Sequence, residues 1–370
     1  MTFIIFILIL SVLIIVHEAG HFFMAKKLGV KVDEFSLGFG PKLFSHVSGG
    51  TEYRLCAIPL GGYVKMAGDE RSQCEGKIDE YFSKPPGHRS LIILMGPVVN
   101  YLLAYLCFVL VFMVGYIDMD ATHKAVPAVI GRVQPNTPAE RAGFLAGDRV
   151  LKVKDMLVAS WSDMQELIAS AGTAELRVVV GRQGDEVPLV VVPEIHQVKD
   201  LFGRENNVSR IGVEAKKIDS ADNLIVKRYG PLEALGKGAE ELGKITLKTY
   251  AALWEIITGQ RSAKEGMTGL IGIFFIIKFA AAVGFSFLLH VIGVISASLA
   301  IFNLLPVIPL DGGHLLLIGL EKIRGKALSA KIDDVIAKAG LALIIALAAF
   351  VFYVDFERIG LIDKVVHFFK

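Results

Sequence analysis

The chain has 370 residues, of which 53% are hydrophobic, and its mean hydropathy of +0.55 exceeds that of ordinary soluble proteins. A formal net charge of +2 gives no electrostatic support for nucleic-acid binding, so we expect no nucleic-acid partner. The three cysteines (Cys56, Cys74 and Cys107) are odd in number and lack metal-ligand spacing, which excludes a disulfide framework and a cysteine zinc site.

The first apolar run, residues 3–24, is long enough to cross a bilayer, yet it contains His17, Glu18 and His21. Histidines four positions apart share one face of a helix, where their imidazoles can hold one Zn²⁺. Glu18 lies about 100° around the helix from His17, close enough to accept a proton from a water at the metal. Ionisable groups at membrane depth cost about 2.5–3.5 kcal/mol each, and a metal site supplies a reason for three together. The alternative is that the histidines lie near a helix end with Glu18 facing water.

Residues 1–16 have an alternative interpretation as a cleaved signal peptide. A signal peptide has a basic start and a small-residue cleavage site, whereas this run begins with Met1-Thr2 and ends in His-Glu. We therefore expect a retained first span.

The segment 25–90 is predicted to connect two spans and to contain a β-hairpin. Residues 52–60 have strand character, Gly61-Gly62 predicts the two-residue turn, and residues 63–66 predict the returning strand. A second apolar run covers residues 91–116.

The composition becomes typical of a soluble domain after the second span. Strands are predicted at 128–133, 149–154, 176–181 and 187–192, helices at 138–142 and 161–171, and residues 209–213 are expected to complete the domain. The stretch 136–150 resembles the signature of PDZ domains, which bind chain ends or extended segments by strand addition.

Two further segments precede the third span. Residues 231–259 show apolar positions at helical spacing, which predicts an amphipathic helix, or a pair, on the outer face of the membrane or against the PDZ-like unit. The apolar stretch 270–283 contains Lys278 and is short for a span, so we expect an interfacial or re-entrant segment, with a fifth crossing as the alternative.

The third apolar run, residues 285–305, leads into the motif Asn303 to His314. Pro306 and Pro309 end regular helix hydrogen bonding, and Gly312-Gly313 allows a tight turn beside Asp311. The Asp311 carboxylate could complete a metal site with the two histidines, leaving the fourth position open for catalysis. The alternative is that Asp311 caps a helix that starts near Gly313.

Lysine and arginine distribution predicts the orientation. The segment after the first span and the segment after the third are rich in both residues, and the chain before the first span has none. By the positive-inside rule these segments face the cytoplasm and both chain ends face outside, which brings His21 and Asp311 to one depth.

The motif His17–His21 and the stretch 303–312 resemble those of the site-2 proteases, which cut membrane proteins inside the bilayer. Supporting stretches are 38–41, 59–64 and 96–100. Within the family the chain is most similar to the bacterial RseP type, with one PDZ-like domain between spans two and three where some relatives carry two. Pro309 lies one residue later than the family pattern, and Gly269-Leu270 replaces a Gly-Pro.

The resemblance implies a polytopic α-helical membrane protein with about four transmembrane helices, a cytoplasmic-side β-hairpin and an inserted α+β PDZ-like extracytoplasmic domain. The expected organisation is 1–24, first span; 25–90, cytoplasmic loop with hairpin; 91–116, second span; 117–215, PDZ-like domain; 216–284, amphipathic and interfacial helices; 285–314, third span and aspartate loop; 315–338, cytoplasmic loop; 339–356, fourth span; and 357–370, tail.

The implied activity is zinc-dependent hydrolysis of peptide bonds in the spans of single-span membrane proteins, such as anti-sigma factors or signal-peptide remnants, in a bacterial cytoplasmic membrane. His17, His21 and Asp311 would hold Zn²⁺, and Glu18 would be the general base. The family pattern favours substrate binding by Asn303, whereas Asn100 is expected to be structural and His314 to lie near the site or at the surface. The hairpin would offer a strand edge to the unwound substrate, and the PDZ-like domain would bind peptide termini.

Two other classes of protein remain open. Buried histidine and aspartate also mark ion paths, which would suit a zinc-handling transporter, but we find no repeated half in the sequence. A non-catalytic PDZ membrane scaffold would predict a broken ligand set, and here the set is intact.

Overall fold

The computed structural model describes residues 2–71, 74–199, 205–216, 225–260, 262, 264, 268–326 and 329–358. The chain divides into two compact units, one formed by Met1–Val114 with Tyr229–Lys370 and the other by Gly115–Arg228. The predicted tail, 357–370, lies outside the described residues beyond residue 358.

The described helices are, in chain order, α1 (Thr2–Lys27), α2 (Pro86–Val114), α3 (Met119–Ala125), α4 (Pro138–Arg141), α5 (Trp161–Ser170), α6 (Pro231–Ile257), α7 (Leu270–Val283), α8 (Phe285–Asn303), α9 (Asp311–Arg324) and α10 (Ala330–Arg358).

Four of the described helices are long and apolar enough to cross a membrane: α1, α2, α8 and the part of α10 at Lys338–Glu357. The four predicted spans are therefore confirmed as helices. α2 begins at Pro86, five residues before the prediction, because proline is well accommodated in the first turn of a helix. α7 is shorter than these four, as predicted, and the connecting segment 315–338 is mostly helical.

The second spanning helix, α2, is the centre of the first unit. It packs against α1, α6, α8 and α9. Glycines make the close approaches possible: a Cβ at Gly20 of α1 would lie 2.5 Å from the Met95 carbonyl oxygen, and one at Gly293 of α8 would lie 2.6 Å from the Phe108 ring.

The hairpin consists of two long strands, β1 (Val32–Ser48) and β2 (Thr51–Met66), joined at Gly49-Gly50. Both turn glycines have positive φ, 56° and 78°, as a two-residue hairpin turn requires. The prediction that Gly61-Gly62 forms the turn is wrong, since both residues lie inside β2. Gly62 is instead a point of close approach, where a Cβ would meet the Ser36 carbonyl oxygen at 2.8 Å.

The two strands fold back on themselves into a small sheet. Residues 34–37 of β1 pair with residues 62–65 of β2 on one side and with residues 52–55 on the other. Residues 44–48 then pair with residues 51–55. Within the described pairings, residues 62–66 therefore form one edge of this sheet.

The amphipathic segment, predicted to form one helix or a pair, forms the single helix α6. It packs along α2 and α8. The Tyr101 and Thr246 hydroxyls are 2.6 Å apart, Gly238 lies against Val109, and Glu241 approaches His290 at 3.7 Å. These polar partners allow a charged helix to pack on apolar neighbours, an arrangement that periodicity alone does not reveal.

The second unit has an α+β composition close to the prediction. Its strands are β3 (Tyr116–Ile117), β4 (Ile130–Val133), β5 (Arg149–Val153), β6 (Met156–Leu157), β7 (Leu176–Arg182), β8 (Asp185–Val191), β9 (Glu194–Lys199), β10 (Glu205–Arg210), β11 (Val213–Ala215) and β12 (Val226–Lys227). A four-stranded sheet has the order β6-β5-β7-β8, β11 pairs with β4, β9 with β10, and β3 with β12. Residues of β4, β5, β7 and α5 share one hydrophobic core.

Candidate metal centre

His17 and His21 lie on one face of α1, with only 8% and 7% of their surfaces exposed. Their Nε2 atoms are 3.2 Å apart. The His21 Nδ1 atom lies 2.9 Å from the Ile92 carbonyl oxygen, which can only accept, so His21 donates from Nδ1 and its Nε2 carries a lone pair. The histidine pair is therefore arranged as metal ligands are, with the second ring nitrogen held by the protein.

Gly96 of α2 leaves the space that the histidines occupy. A Cβ at this position would lie 2.3 Å from His21 Nε2 and 2.9 Å from His17 Cε1. Any side chain here would displace both imidazoles. The predicted supporting stretch 96–100 thus acts by close packing of α2 on α1.

Asp311 is the first residue of α9, and its carboxylate faces the histidines. Its Oδ2 is 3.1 Å from His17 Nε2, and its Oδ1 is 3.6 Å from His21 Nε2. The alternative role as a helix cap does not apply, since Leu310 occupies the N-cap position. A Cβ at Gly312 would lie 2.2 Å from the Leu304 carbonyl oxygen, so glycine lets the preceding loop fold tightly under Asp311.

The structure brings the three predicted ligands together. One ligand-type atom from each of His17, His21 and Asp311 falls in a group whose members lie within 4.8 Å of one another. Among the described residues, Asp311 Oδ2 is buried and receives no hydrogen bond. A buried anionic oxygen needs a compensating partner, and a cation held by all three residues would supply it.

A cavity of about 980 Å³ opens beside these ligands. Glu18 lines it together with Asn303 and His314, so three further residues singled out in the sequence reach the same space. Glu18 packs against the hairpin, where a Cβ at Gly62 would lie 3.3 Å from its Cγ. The carboxylate that can accept a proton and the ligand set therefore share one chamber.

The sequence matches the profile of Peptidase family M50 over residues 5–347. The chain belongs to this family. A protein of Brucella suis with the name "Putative zinc metalloprotease" is 32% identical over 367 residues, covering 96% of this chain and 94% of its own. A protein of Clostridium acetobutylicum with the same name is 33% identical, covering 89% of this chain and 88% of its own.

A longer relative is the Regulator of sigma-E protease RseP of Escherichia coli K12, which is 28% identical and covers 96% of this chain and 98% of its own. The alignment has 447 positions, more than the 370 residues of this chain, so that relative contains additional sequence. The resemblance to the site-2 proteases is thus confirmed at the level of the M50 family.

Asn100, expected to be structural in this M50 chain, lies closer to the metal centre than the sequence indicated. Its side chain is fully buried, and its amide Nδ2 is 3.5 Å from His17 Nδ1. Its backbone carbonyl accepts a hydrogen bond from Ser296 on α8. Both contacts join α2 to a neighbouring helix, as expected for a structural asparagine, and the side chain also faces a candidate metal ligand.

The far end of the cavity contains an ion-pair cluster that the sequence did not reveal. Glu321 of α9 accepts hydrogen bonds from Arg89 of α2 at 2.5 Å and from Arg71 at 2.7 Å. Both guanidinium groups also lie over the Phe82 ring, at 4.3 Å for Arg71 and 5.5 Å for Arg89. Burial raises the pKa of Glu321, but the hydrogen bonds from both arginines outweigh it and hold this pKa below its usual value.

No local sequence pattern could have identified the cluster of Arg71, Arg89 and Glu321. Glu321 is 232 positions from Arg89 and 250 from Arg71, and each residue alone is an ordinary charge near a span. The cluster fixes the end of α9 opposite to Asp311 against α2. Its consequence for the site is that both ends of the helix that carries Asp311 are held.

The sheet edge also faces the cavity. Gly62, Tyr63, Val64 and Met66 of the β2 edge line it. Tyr63 is held in place on the sheet, because its hydroxyl donates to Glu34 at 2.8 Å. A strand edge, a proton acceptor and a ligand set thus surround one space.

Proposed function

We propose that this M50 peptidase uses zinc to hydrolyse peptide bonds within the transmembrane segments of single-span membrane proteins. The observation that supports it best is the meeting of His17, His21 and Asp311 beside Glu18, with both histidines on a helix apolar enough to span a membrane. Ionisable groups are costly at membrane depth, so their presence there is expected if the hydrolysis takes place within the membrane.

The residues fit zinc by chemistry and by spacing. Two imidazoles and one carboxylate, with a fourth position open, form the donor set of catalytic zinc sites. Ligand atoms on a tetrahedral zinc ion with bonds of about 2.1 Å stand about 3.4 Å apart. The three separations found between ligand-type atoms are 3.1, 3.2 and 3.6 Å.

Zinc bound there would supply Lewis-acid polarisation of the scissile carbonyl and would lower the pKa of water to about 7. Glu18 would accept the proton of the attacking water and then transfer it to the leaving amine. Asn303, at the end of α8 and in the wall of the cavity, would donate a hydrogen bond to the substrate carbonyl as negative charge develops on its oxygen.

The substrate would bind as an extended strand. A transmembrane helix hides its peptide groups in internal hydrogen bonds, so it must unwind locally before a carbonyl can react. Residues 62–66 present an edge at the cavity, and main-chain hydrogen bonds to that edge would hold the unwound segment. Because Gly61 and Gly62 lie inside β2, the proposed binding edge is part of a continuous strand and not of a turn.

The chain would be a multi-pass protein of the bacterial inner membrane, with the hairpin and metal centre near the cytoplasmic side and the PDZ-like unit outside. Support comes from the lysines and arginines of segments 25–90 and 315–338. Anti-sigma factors and signal-peptide remnants are candidate substrates, and the name of the Escherichia coli relative refers to sigma-E regulation. The PDZ-like unit, residues 117–215, would bind peptide termini.

The decisive experiment measures zinc content and cleavage of a single-span test substrate for the wild type and Glu18→Gln purified in parallel. We expect one zinc in both proteins and cleavage by the wild type only, because the amide cannot accept the water proton. Cleavage by Glu18→Gln would contradict the general-base assignment. Absence of zinc from both proteins would contradict the proposed function, and zinc without cleavage in either would favour a transporter or a scaffold.

A further inference from the structure

Asn100 presents an unmet hydrogen-bonding group next to a proposed zinc ligand. Its side chain is 0% exposed, and its Oδ1 receives no hydrogen bond from the described residues. Its other terminal atom, Nδ2, lies 3.5 Å from His17 Nδ1. A buried acceptor without a donor is costly, so the placement of this amide needs an explanation.

The tautomer of His17 supplies that explanation. A neutral imidazole carries one proton, and a histidine that coordinates metal through Nε2 carries it on Nδ1. That N–H requires an acceptor, which the amide nitrogen of Asn100 is not. Rotating the carboxamide by a half turn exchanges two atoms of nearly equal size and places Oδ1 opposite His17 Nδ1.

His21 shows the same requirement already met. Its Nδ1 donates to the Ile92 carbonyl oxygen at 2.9 Å, while its Nε2 faces His17 Nε2 and Asp311. Ile92 and Asn100 lie two turns apart on α2, so one helix supplies an acceptor to each histidine of α1. The two partners differ in that Ile92 uses its backbone and only Asn100 can be changed by substitution.

We propose that Asn100 is a positioning residue whose Oδ1 accepts the His17 Nδ1 proton and so directs the Nε2 lone pair toward Asp311. The inference rests on the proposed function, in which His17, His21 and Asp311 hold zinc. Partners of this kind orient a metal-bound histidine, and their loss typically weakens metal affinity 10- to 100-fold.

The test compares zinc affinity, by competition with a chelator, in full-length Asn100→Leu and Asn100→Asp. Leucine keeps the branched shape of the side chain and removes the acceptor, so we expect zinc binding to weaken about 10- to 100-fold. Aspartate keeps an acceptor, so we expect affinity within about threefold of the wild type, since carboxylate–histidine–zinc arrangements are common. Cobalt substituted for zinc should report the same order through its visible absorption spectrum.

Ser296→Ala is the matched control. It removes a 2.8 Å hydrogen bond to the Asn100 carbonyl oxygen, at the same place between α2 and α8, without touching the side chain that faces His17. We expect unchanged zinc affinity in this variant. The thermal unfolding midpoint of each metal-free protein separates misfolding from loss of a ligand partner.

Two results would overturn the inference: wild-type zinc affinity in Asn100→Leu, or equal loss in Asn100→Asp and Asn100→Leu. The first would show that His17 needs no acceptor, and the second that the residue acts by packing alone. A wild-type protein that binds no zinc would instead overturn the proposed function, so the two failures are distinguishable.

Discussion

The spanning helices α2 and α10 are similar in composition and very different in their surroundings. Both are strongly apolar, yet 44% of the most apolar window of α2 is buried inside the protein, compared with 18% for α10. Among the described residues, α2 packs against α1, α6, α8 and α9, with Gly96, Asn100 and Arg89 at the contacts. Hydropathy therefore determines that a helix lies in the membrane, whereas small and polar residues determine what it packs against.

Two contacts among the described residues illustrate how α10 is positioned. In its first half, a Cβ at Gly340 would lie 2.1 Å from the carbonyl oxygen of Ile308, which is in the loop that leads to Asp311. Near its C-terminal end, the buried Asp355 carboxylate accepts hydrogen bonds from the backbone N–H groups of Gly269, Ile271 and Gly272 at the start of α7. A glycine and a buried polar residue therefore position α10, as Gly96 and Asn100 do for α2.

The largest effect is expected from Gly96→Ala in α2. The added methyl carbon would lie only 2.3 Å from His21 Nε2, so the imidazoles must move and the ligand set is lost. We expect cleavage to fall by at least about 100-fold, as small misplacements of reacting groups do, together with loss of zinc. Gly87→Ala, in the same helix where a Cβ meets nothing within 4 Å, is the control and should retain both. Normal zinc content in Gly96→Ala would contradict the conclusion that α2 forms a wall of the metal site.

A smaller effect is expected from Glu321→Gln, which breaks the link between α2 and α9. Arg89 has 3% of its side chain exposed and would keep its charge without the carboxylate, so we expect a loss of about 3–5 kcal/mol in the free energy of unfolding. Unfolding by denaturant in detergent measures it. Glu357→Gln on α10, whose partner Lys264 is half exposed, should cost about 1 kcal/mol or less. Equal losses of unfolding free energy in Glu321→Gln and Glu357→Gln would contradict the conclusion that polar contacts hold α2 more strongly than α10.

The smallest effect is expected from Asp355→Asn in α10. Asparagine keeps the shape and one acceptor but loses the charge that favours the N-terminus of α7, which is a change of about 1 kcal/mol. Because the Asp355 contact holds α10 against the start of α7, we expect faster maleimide labelling of a cysteine placed at Val351, which packs against Gly269. Leu343→Ala, which removes a 56% exposed side chain from the same helix, should leave labelling unchanged. Unchanged labelling in Asp355→Asn would show that other contacts hold α10.

Much of the fold followed from local pattern. The four spans, the short segment α7 and the strands β4, β5, β7 and β8 of the second unit correspond to apolar length or alternation, which depend on neighbours within a few positions. The prediction of the hairpin turn was wrong because the segment contains two Gly-Gly pairs, Gly49-Gly50 and Gly61-Gly62. Local sequence does not distinguish the pair that forms the turn. At Gly62 a side chain would collide with Ser36 and crowd Glu18, so glycine is needed there for a contact between distant segments.

The candidate site divides in the same way. His17, Glu18 and His21 share one helix, so their spacing alone predicted their common face. Asp311 was inferred from its flanking glycines and prolines and from the predicted depth of the spans. The structure adds the separations between ligand atoms and the wall formed by Gly96. It also identifies His17 as the partner of the interhelical contact that was expected for the Asn100 side chain.

By itself, the sequence determined residence in the membrane, the number of long apolar helices and the candidate metal ligands, because composition and short-range spacing control these properties. Only the tertiary structure decided which residues surround the metal centre. The Arg71–Glu321–Arg89 cluster, the Asp355 contact with α7 and the position of α6 along α2 join segments far apart in the chain. Such contacts depend on how helices pack, and the partners of a single polar residue cannot be read from its neighbours in sequence.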